Sequence, residues 1–134
     1  MKQFIYSLIL SSLFVFSSCE KDEGLLPNLS FVALSGAITT DTNLPKGAPF
    51  KIKVTASKSE GKDVLKKFNV STSINGASET TIEDKSLSGS EGDIFNYEYN
   101  GTADTIVGKK TKYIYTVTNR DGITNQISLT VTVQ

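Results

Sequence analysis

Residues 113–133 read YIYTVTNRDGITNQISLTVTV, and this stretch decides the fold class. Tyr113, Tyr115 and Val117 alternate with Ile114, Thr116 and Thr118. After Asn119-Arg120-Asp121-Gly122, Ile127, Leu129, Val131 and Val133 alternate with Ser128, Thr130 and Thr132. Successive side chains of a strand point to opposite faces, so a period of two with one apolar face marks a half-buried strand. Two such runs joined through Asp-Gly mark an antiparallel hairpin, because Gly takes the positive φ of the turn at no steric cost.

The same period recurs upstream. Phe50, Ile52, Val54 and Ala56 alternate with Lys51, Lys53 and Thr55, and Phe68, Val70, Thr72 and Ile74 alternate with Asn69, Ser71 and Ser73 up to Asn75-Gly76. That dipeptide predicts a second hairpin, with residues 78–83 as the return strand. Phe95, Tyr97 and Tyr99 predict a strand ended by Asn100-Gly101, and residues 29–34 a first one. Leu65 is out of phase with Phe68, which predicts a bulge near Lys66-Lys67. The Ser-rich residues 86–92 (SLSGSEG) read as a loop. About seven short strands without a helical period predict an all-β chain folded as two packed antiparallel sheets.

Composition narrows the function. The chain has 134 residues, 14 Lys+Arg against 14 Asp+Glu, one Cys, and neither His nor Trp. That length suits one domain. A formal charge of zero gives no field for a nucleic-acid backbone. The lack of His removes the commonest general base and the commonest metal ligand together.

The N-terminus reads as an address. Lys2 precedes an uncharged run of 13 largely apolar residues, 4–16 (FIYSLILSSLFVF), which closes on Ser17-Ser18. This is the plan of a secretory signal peptide, and the run is shorter than the roughly 20 residues of a bilayer-spanning helix. Phe16-Ser17-Ser18-Cys19 resembles the lipobox of bacterial lipoproteins, with Phe16 where Leu is commonest. The resemblance implies that the Cys19 thiol receives a diacylglyceryl group and that the leader is cut before it. A lone Cys in an exported chain cannot pair within the molecule, and this one lies at the leader's edge, which favours lipidation over a buried or incidental thiol. Glu20-Lys21-Asp22-Glu23 is similar to the surface-export signal of lipoproteins in one group of Gram-negative bacteria. It implies that Lys21, Asp22 and Glu23 send the protein to the outer face of the outer membrane, the alternative being a solvated spacer. The expected organisation is a signal peptide at 1–18, a lipidated cysteine and flexible tether at 19–28, and one sandwich domain at 29–134. Cleavage removes 18 of 134 residues, leaving 116, with 13 basic side chains against 14 acidic ones.

The closing hairpin, with its Y-x-Y-T-V-T strand, N-x-D-G turn and T-V-T-V strand, resembles the last two strands of bacterial immunoglobulin-like domains of the PKD and cadherin-like kind. The resemblance covers about 22 residues and implies fold, not activity. It further implies that Phe68 stands where antibody domains place a core Trp, and that Tyr113 or Tyr115 supplies a tyrosine corner.

Chemical constellations are sparse. Without His, serine hydrolysis would need a Ser-Lys pair. Ser57-Lys58 and Lys85-Ser86 are chain neighbours, which on a strand face opposite ways. Glu83-Asp84 and Glu91/Asp93 pair carboxylates with no sign of a cleft between them. The expectation is therefore no enzyme and no cofactor. Asp41 and Asn43, Asn119 and Asp121, and Glu91 and Asp93 are oxygen donors of the kind calcium takes, but turns use the same residues, so no metal site is assigned. Lys51, Lys53, Lys66, Lys67, Lys109, Lys110 and Lys112 fit edge-strand lysines that block sheet aggregation. Asp104-Thr105-Ile106 resembles the D-[ST]-aliphatic acceptor of O-glycosylated envelope proteins and makes Thr105 a candidate modification site. The expected function is a noncatalytic, lipid-anchored module facing the cell exterior. It would be held to the membrane through its lipid and make protein or glycan contacts. The alternative is a subunit of an envelope assembly such as an uptake complex or pilus. Fimbrial lipoproteins of that bacterial group are commonly activated by cleavage after an Arg, and the only Arg here, Arg120, lies inside the predicted hairpin.

Overall fold

The computed structural model describes residues 24–134. Cys19, Lys21, Asp22 and Glu23, and with them the expected leader and lipidation site, lie outside the described residues. Among the described residues the chain forms eight strands, β1 (Asn28–Phe31), β2 (Thr42–Leu44), β3 (Pro49–Ser57), β4 (Leu65–Ile74), β5 (Thr80–Ser86), β6 (Ile94–Thr102), β7 (Lys110–Asn119) and β8 (Thr124–Val133), with one 3-10 turn at Gly89–Gly92. Their apolar faces meet as two sheets, ordered β1-β3-β6 and β2-β8-β7-β4-β5. The strands pair antiparallel throughout except β2, which runs parallel to β8.

The alternating runs sit where their periods place them. In the closing hairpin Tyr113 stands opposite Leu129 and Tyr115 opposite Ile127, and Gly122 turns with φ 81°. Asn75 and Gly76 both take positive φ, 50° and 77°, as a tight hairpin turn requires. The register of β4 against β7 shifts between Leu65 and Lys67, where the phase break in the sequence predicts a bulge.

Several details differ from the sequence reading. The strand count rises to eight because β2 has three residues, too few for alternation to show. It is held by its register along Val131, Thr132 and Val133 and by the Thr130 N–H donating to Asp41 Oδ1 at 2.7 Å. The first strand stops at Phe31 instead of Leu34. β6 runs through Asn100-Gly101 to Thr102 because Gly101 pairs with Phe50 and serves packing, not turning. The lysine expectation is also corrected: Lys51 and Lys53 lie on β3, the middle strand of its sheet, and both ion-pair with Glu98 on the solvent face, at 3.1 and 3.2 Å. Lys67 lies on β4, an interior strand, and pairs with Asp84 at 3.2 Å.

The core is aromatic. Phe68, wholly buried, touches Phe95 and Tyr97 with ring centroids 5.0 and 5.1 Å away, and Tyr99 lies 5.1 Å from Tyr113. Rings of this size bury about 150–250 Å² each, which supplies a core without any disulfide. Phe68 is thus the ring around which the two sheets pack. The tyrosine corner is not formed by Tyr115, whose buried hydroxyl has no hydrogen-bond partner among the described residues.

The chain joins this sandwich at one end. The Leu25 N–H donates to Asp63 Oδ2 at 3.0 Å, Asn119 Nδ2 donates to the Leu25 carbonyl at 3.1 Å, the Ser59 hydroxyl donates to the Leu26 carbonyl, and Asn125 Nδ2 donates to the Pro27 carbonyl at 2.8 Å. Residues 25–27, expected as flexible tether, are therefore bonded to the β3–β4 connection, to the end of β7 and to β8. Asn119 is 2% exposed, and its Oδ1 also accepts the N–H groups of Asp121 and Ile123. One side chain shapes the turn and fastens the incoming chain.

Candidate functional site

The topology separates two ends. Residues 25–27, the β3–β4 loop, the Gly89–Gly92 turn and the β7–β8 turn share the end where the chain arrives. The β2–β3, β4–β5 and β6–β7 connections share the other, about 30 Å away along the ten residues of β7. At that far end the two sheets part into a cleft of about 240 Å³.

Its floor is aromatic: Phe50, Tyr99 and Tyr113, with Phe50 5.6 Å and Tyr99 5.1 Å from Tyr113 between centroids. Gly101 makes this floor possible. A Cβ there would stand 2.5 Å from Phe50 Cζ and 2.7 Å from Tyr99 Cε1, so any side chain would displace both rings. Ile74 and Ile82 wall one side, 44% and 46% exposed, and Thr72 and Thr111 contribute hydroxyls. Nearer the chain-entry end the gap between β5 and β6 is shut, by the Tyr97 hydroxyl donating to Glu83 Oε2 at 2.6 Å and by Lys85 Nζ lying 4.7 Å from the Phe95 ring centroid. Burial and the Glu83 carboxylate raise the Tyr97 pKa, and burial followed by the neighbouring tyrosines raises those of Tyr113 and Tyr115.

The β6–β7 loop supplies the rim. Asp104 Oδ1 accepts the N–H groups of Thr105 and Ile106 at 2.7 and 3.1 Å, and Asp104 Oδ2 pairs with Lys109 Nζ at 2.5 Å. The Lys109 ammonium first, and the Ile106 N–H second, hold the Asp104 carboxyl below its ordinary pKa. The loop thereby exposes Thr105, with Ile106 and Val107 beside it at 62% and 61% exposure. Thr105, the modification candidate of the sequence, stands at this far end.

The other sequence candidates do not converge. Lys58 pairs with Asp93 at 2.5 Å and Lys85 with Glu91 at 2.6 Å, which separates the Ser-Lys neighbours and occupies both acids of the Glu91/Asp93 pair. Glu83 turns to Tyr97 while Asp84 turns to Asn69 and Lys67. Asp41 caps the Thr130 N–H and Asn119 is consumed by the turn. Among the described residues, no three acidic, Cys or His side chains gather as a metal site would need. The cleft itself has one trace in the sequence, a glycine within an aromatic strand, which marks a close approach of neighbouring groups.

No protein-family model matches the chain, and no curated protein does. Among solved structures it is similar to Spo0M, a sporulation control protein from Bacillus subtilis, at 10% identity and a TM-score of 0.49. The match covers 81% of this chain and 49% of that one, so the chain spans about half the length of that protein.

Proposed function

We propose that this protein is a noncatalytic, lipid-anchored module of the bacterial outer membrane, facing the cell exterior, that acts through contacts made at the end of an immunoglobulin-like sandwich. The observation that carries the reading is polarity. The chain fastens to one end of the sandwich through residues 25–27, while the cleft, Ile106 and Val107 occupy the other. From Cys19 to Leu25 the chain reaches at most roughly 20 Å. A lipid on Cys19 would hold the bonded end near the bilayer and present the cleft outward, and Lys21, Asp22 and Glu23 would direct export.

The strand order β1-β3-β6 against β2-β8-β7-β4-β5, with a short β2 parallel to the last strand, supports the immunoglobulin-like assignment, as does Phe68 at the centre of the core. Fractionation tests the anchor. The parent protein should sediment with membranes and be trimmed by protease added to intact cells, and Cys19→Ala should lose both properties. A Cys19→Ala protein that stays in the membrane fraction would contradict the proposal. The second reading, a subunit of an envelope assembly, is favoured by the nine-residue β6 at a sheet edge, where a partner strand could add. Size-exclusion profiles of the native protein separate a monomer from such an assembly.

A further inference from the structure

We infer that the far-end cleft binds one neutral hexopyranose unit of a glycan. The inference rests on the contact function proposed above and names its ligand class and its site.

Size sets the first limit. A cleft of about 240 Å³ lies below the range of about 300–1,000 Å³ typical of drug-sized ligands, so it accepts a single residue-sized group. Lining sets the second. Tyr99, half-buried over the buried Phe50 and Tyr113 rings, offers ring surface, Thr72 and Thr111 line the walls with hydroxyl-bearing side chains, and Asp104 and Lys109 stand together at the rim. An aliphatic side chain filling this space would strip water from those polar groups and return no hydrogen bonds, which is costly. A pyranose has apolar C–H surface for the Tyr99 ring and hydroxyls around its edge, and so meets both kinds of lining.

Charge sets the third limit. Asp104 and Lys109 neutralise one another, so the cleft has no net charge to draw an acidic or an amino sugar. The pair nonetheless keeps hydrogen-bonding capacity. A carboxylate has about four acceptor positions, and the Thr105 and Ile106 amides and Lys109 occupy three of those on Asp104. An ammonium has three N–H donors, and the ion pair uses one of Lys109. One acceptor and two donors at the mouth of an aromatic cleft are the complement of a sugar hydroxyl pair. Gly101 keeps Phe50 and Tyr99 seated so that the cleft stays open.

The test uses the full chain in zwitterionic detergent micelles, with isoleucine δ1-methyl signals followed by NMR during titration with methyl gluco-, galacto- and mannopyranosides. At least one glycoside should shift Ile74 and Ile82 with a dissociation constant of about 1 mM, the range a single small ring reaches. Ile94, at the chain-entry end, should not move. Thr111→Val, which removes a hydroxyl at nearly constant volume, should weaken binding about threefold to tenfold, and Asp104→Asn about tenfold or more. The inference is overturned if none of the three glycosides moves Ile74 or Ile82 at about 100 mM, or if binding is unchanged in both variants. It is also overturned if a short aliphatic peptide moves these methyls and the glycosides do not. Because the glycoside titration reads the cleft and fractionation of Cys19→Ala reads the anchor, either can fail without the other.

Discussion

Replacing Gly101 by alanine adds one methyl group at the most crowded glycine of the sandwich. The new Cβ would stand 2.5 and 2.9 Å from two atoms of the Phe50 ring and 2.7 Å from Tyr99 Cε1, all closer than real Cβ contacts. Phe50 is only 7% exposed and lies against both Tyr99 and Tyr113, so its ring cannot turn aside without moving the others. Overpacking of this kind costs about 1–3 kcal/mol. Ordering an alanine instead of a glycine in a strand returns roughly 0.5–1 kcal/mol. The net loss is therefore between about 0 and 2.5 kcal/mol, a fall in Tm of up to roughly 10 °C for a domain of this size. Gly61 is the control, since a Cβ there meets nothing within 4 Å and its φ is not positive. Gly61→Ala should leave stability unchanged or raise it by about 0.4–1 kcal/mol through the unfolded chain. Thermal and urea unfolding of the two variants check the pair. If Gly101→Ala is stabilised by about 0.4–1 kcal/mol, as an unobstructed glycine replacement would be, the aromatic floor of the cleft is not packed as described.

Three further outcomes follow from the same contacts. Phe68→Ala, which empties a wholly buried ring from the centre of the core, should cost about 3–5 kcal/mol in urea unfolding. The Asp104 carboxyl should titrate below 3.8 by NMR and return toward that value in Lys109→Met. Since its folded pKa is depressed, its stabilising contribution is present above the unfolded value and is lost as pH falls through the folded one. Tyr97, Tyr113 and Tyr115 have pKa values raised above 10.0, so stability is complete below pH 10 and declines as pH rises further. Absorbance at 295 nm should show these phenols ionising together with unfolding, while independent ionisation in the folded state would refute their burial.

The strands were legible wherever a buried face imposed a period of two over at least four residues. The runs from Phe50, Phe68, Phe95, Tyr113 and Ile127 each face the core as their alternation requires, and Asn75-Gly76 and Gly122 turn the chain as their backbone freedom allows. β2 was not legible, because three residues show no period and its stability comes from the edge of β8 and a cap from Asp41. Sheet order was not legible either, and for that reason Lys51 and Lys53 read as edge residues when β3 lies between β1 and β6. Gly101 reads in sequence as a strand-ending turn residue, and only the position of the Phe50 ring shows it to be a close approach inside β6 instead. The cleft depends on where two sheets separate and on the Asp104–Lys109 pair across a loop, neither of which has a one-dimensional pattern. Asn119 looks like an ordinary turn residue, and its grip on Leu25 spans 94 positions of the chain.

The anchor is tested most directly by the intact mass and N-terminal peptide of protein isolated from native membranes. The account predicts a chain beginning at Cys19 whose sulfur carries a diacylglyceryl thioether, with the leader absent. A free Cys19 thiol, or residues 1–18 still attached to it, would contradict it.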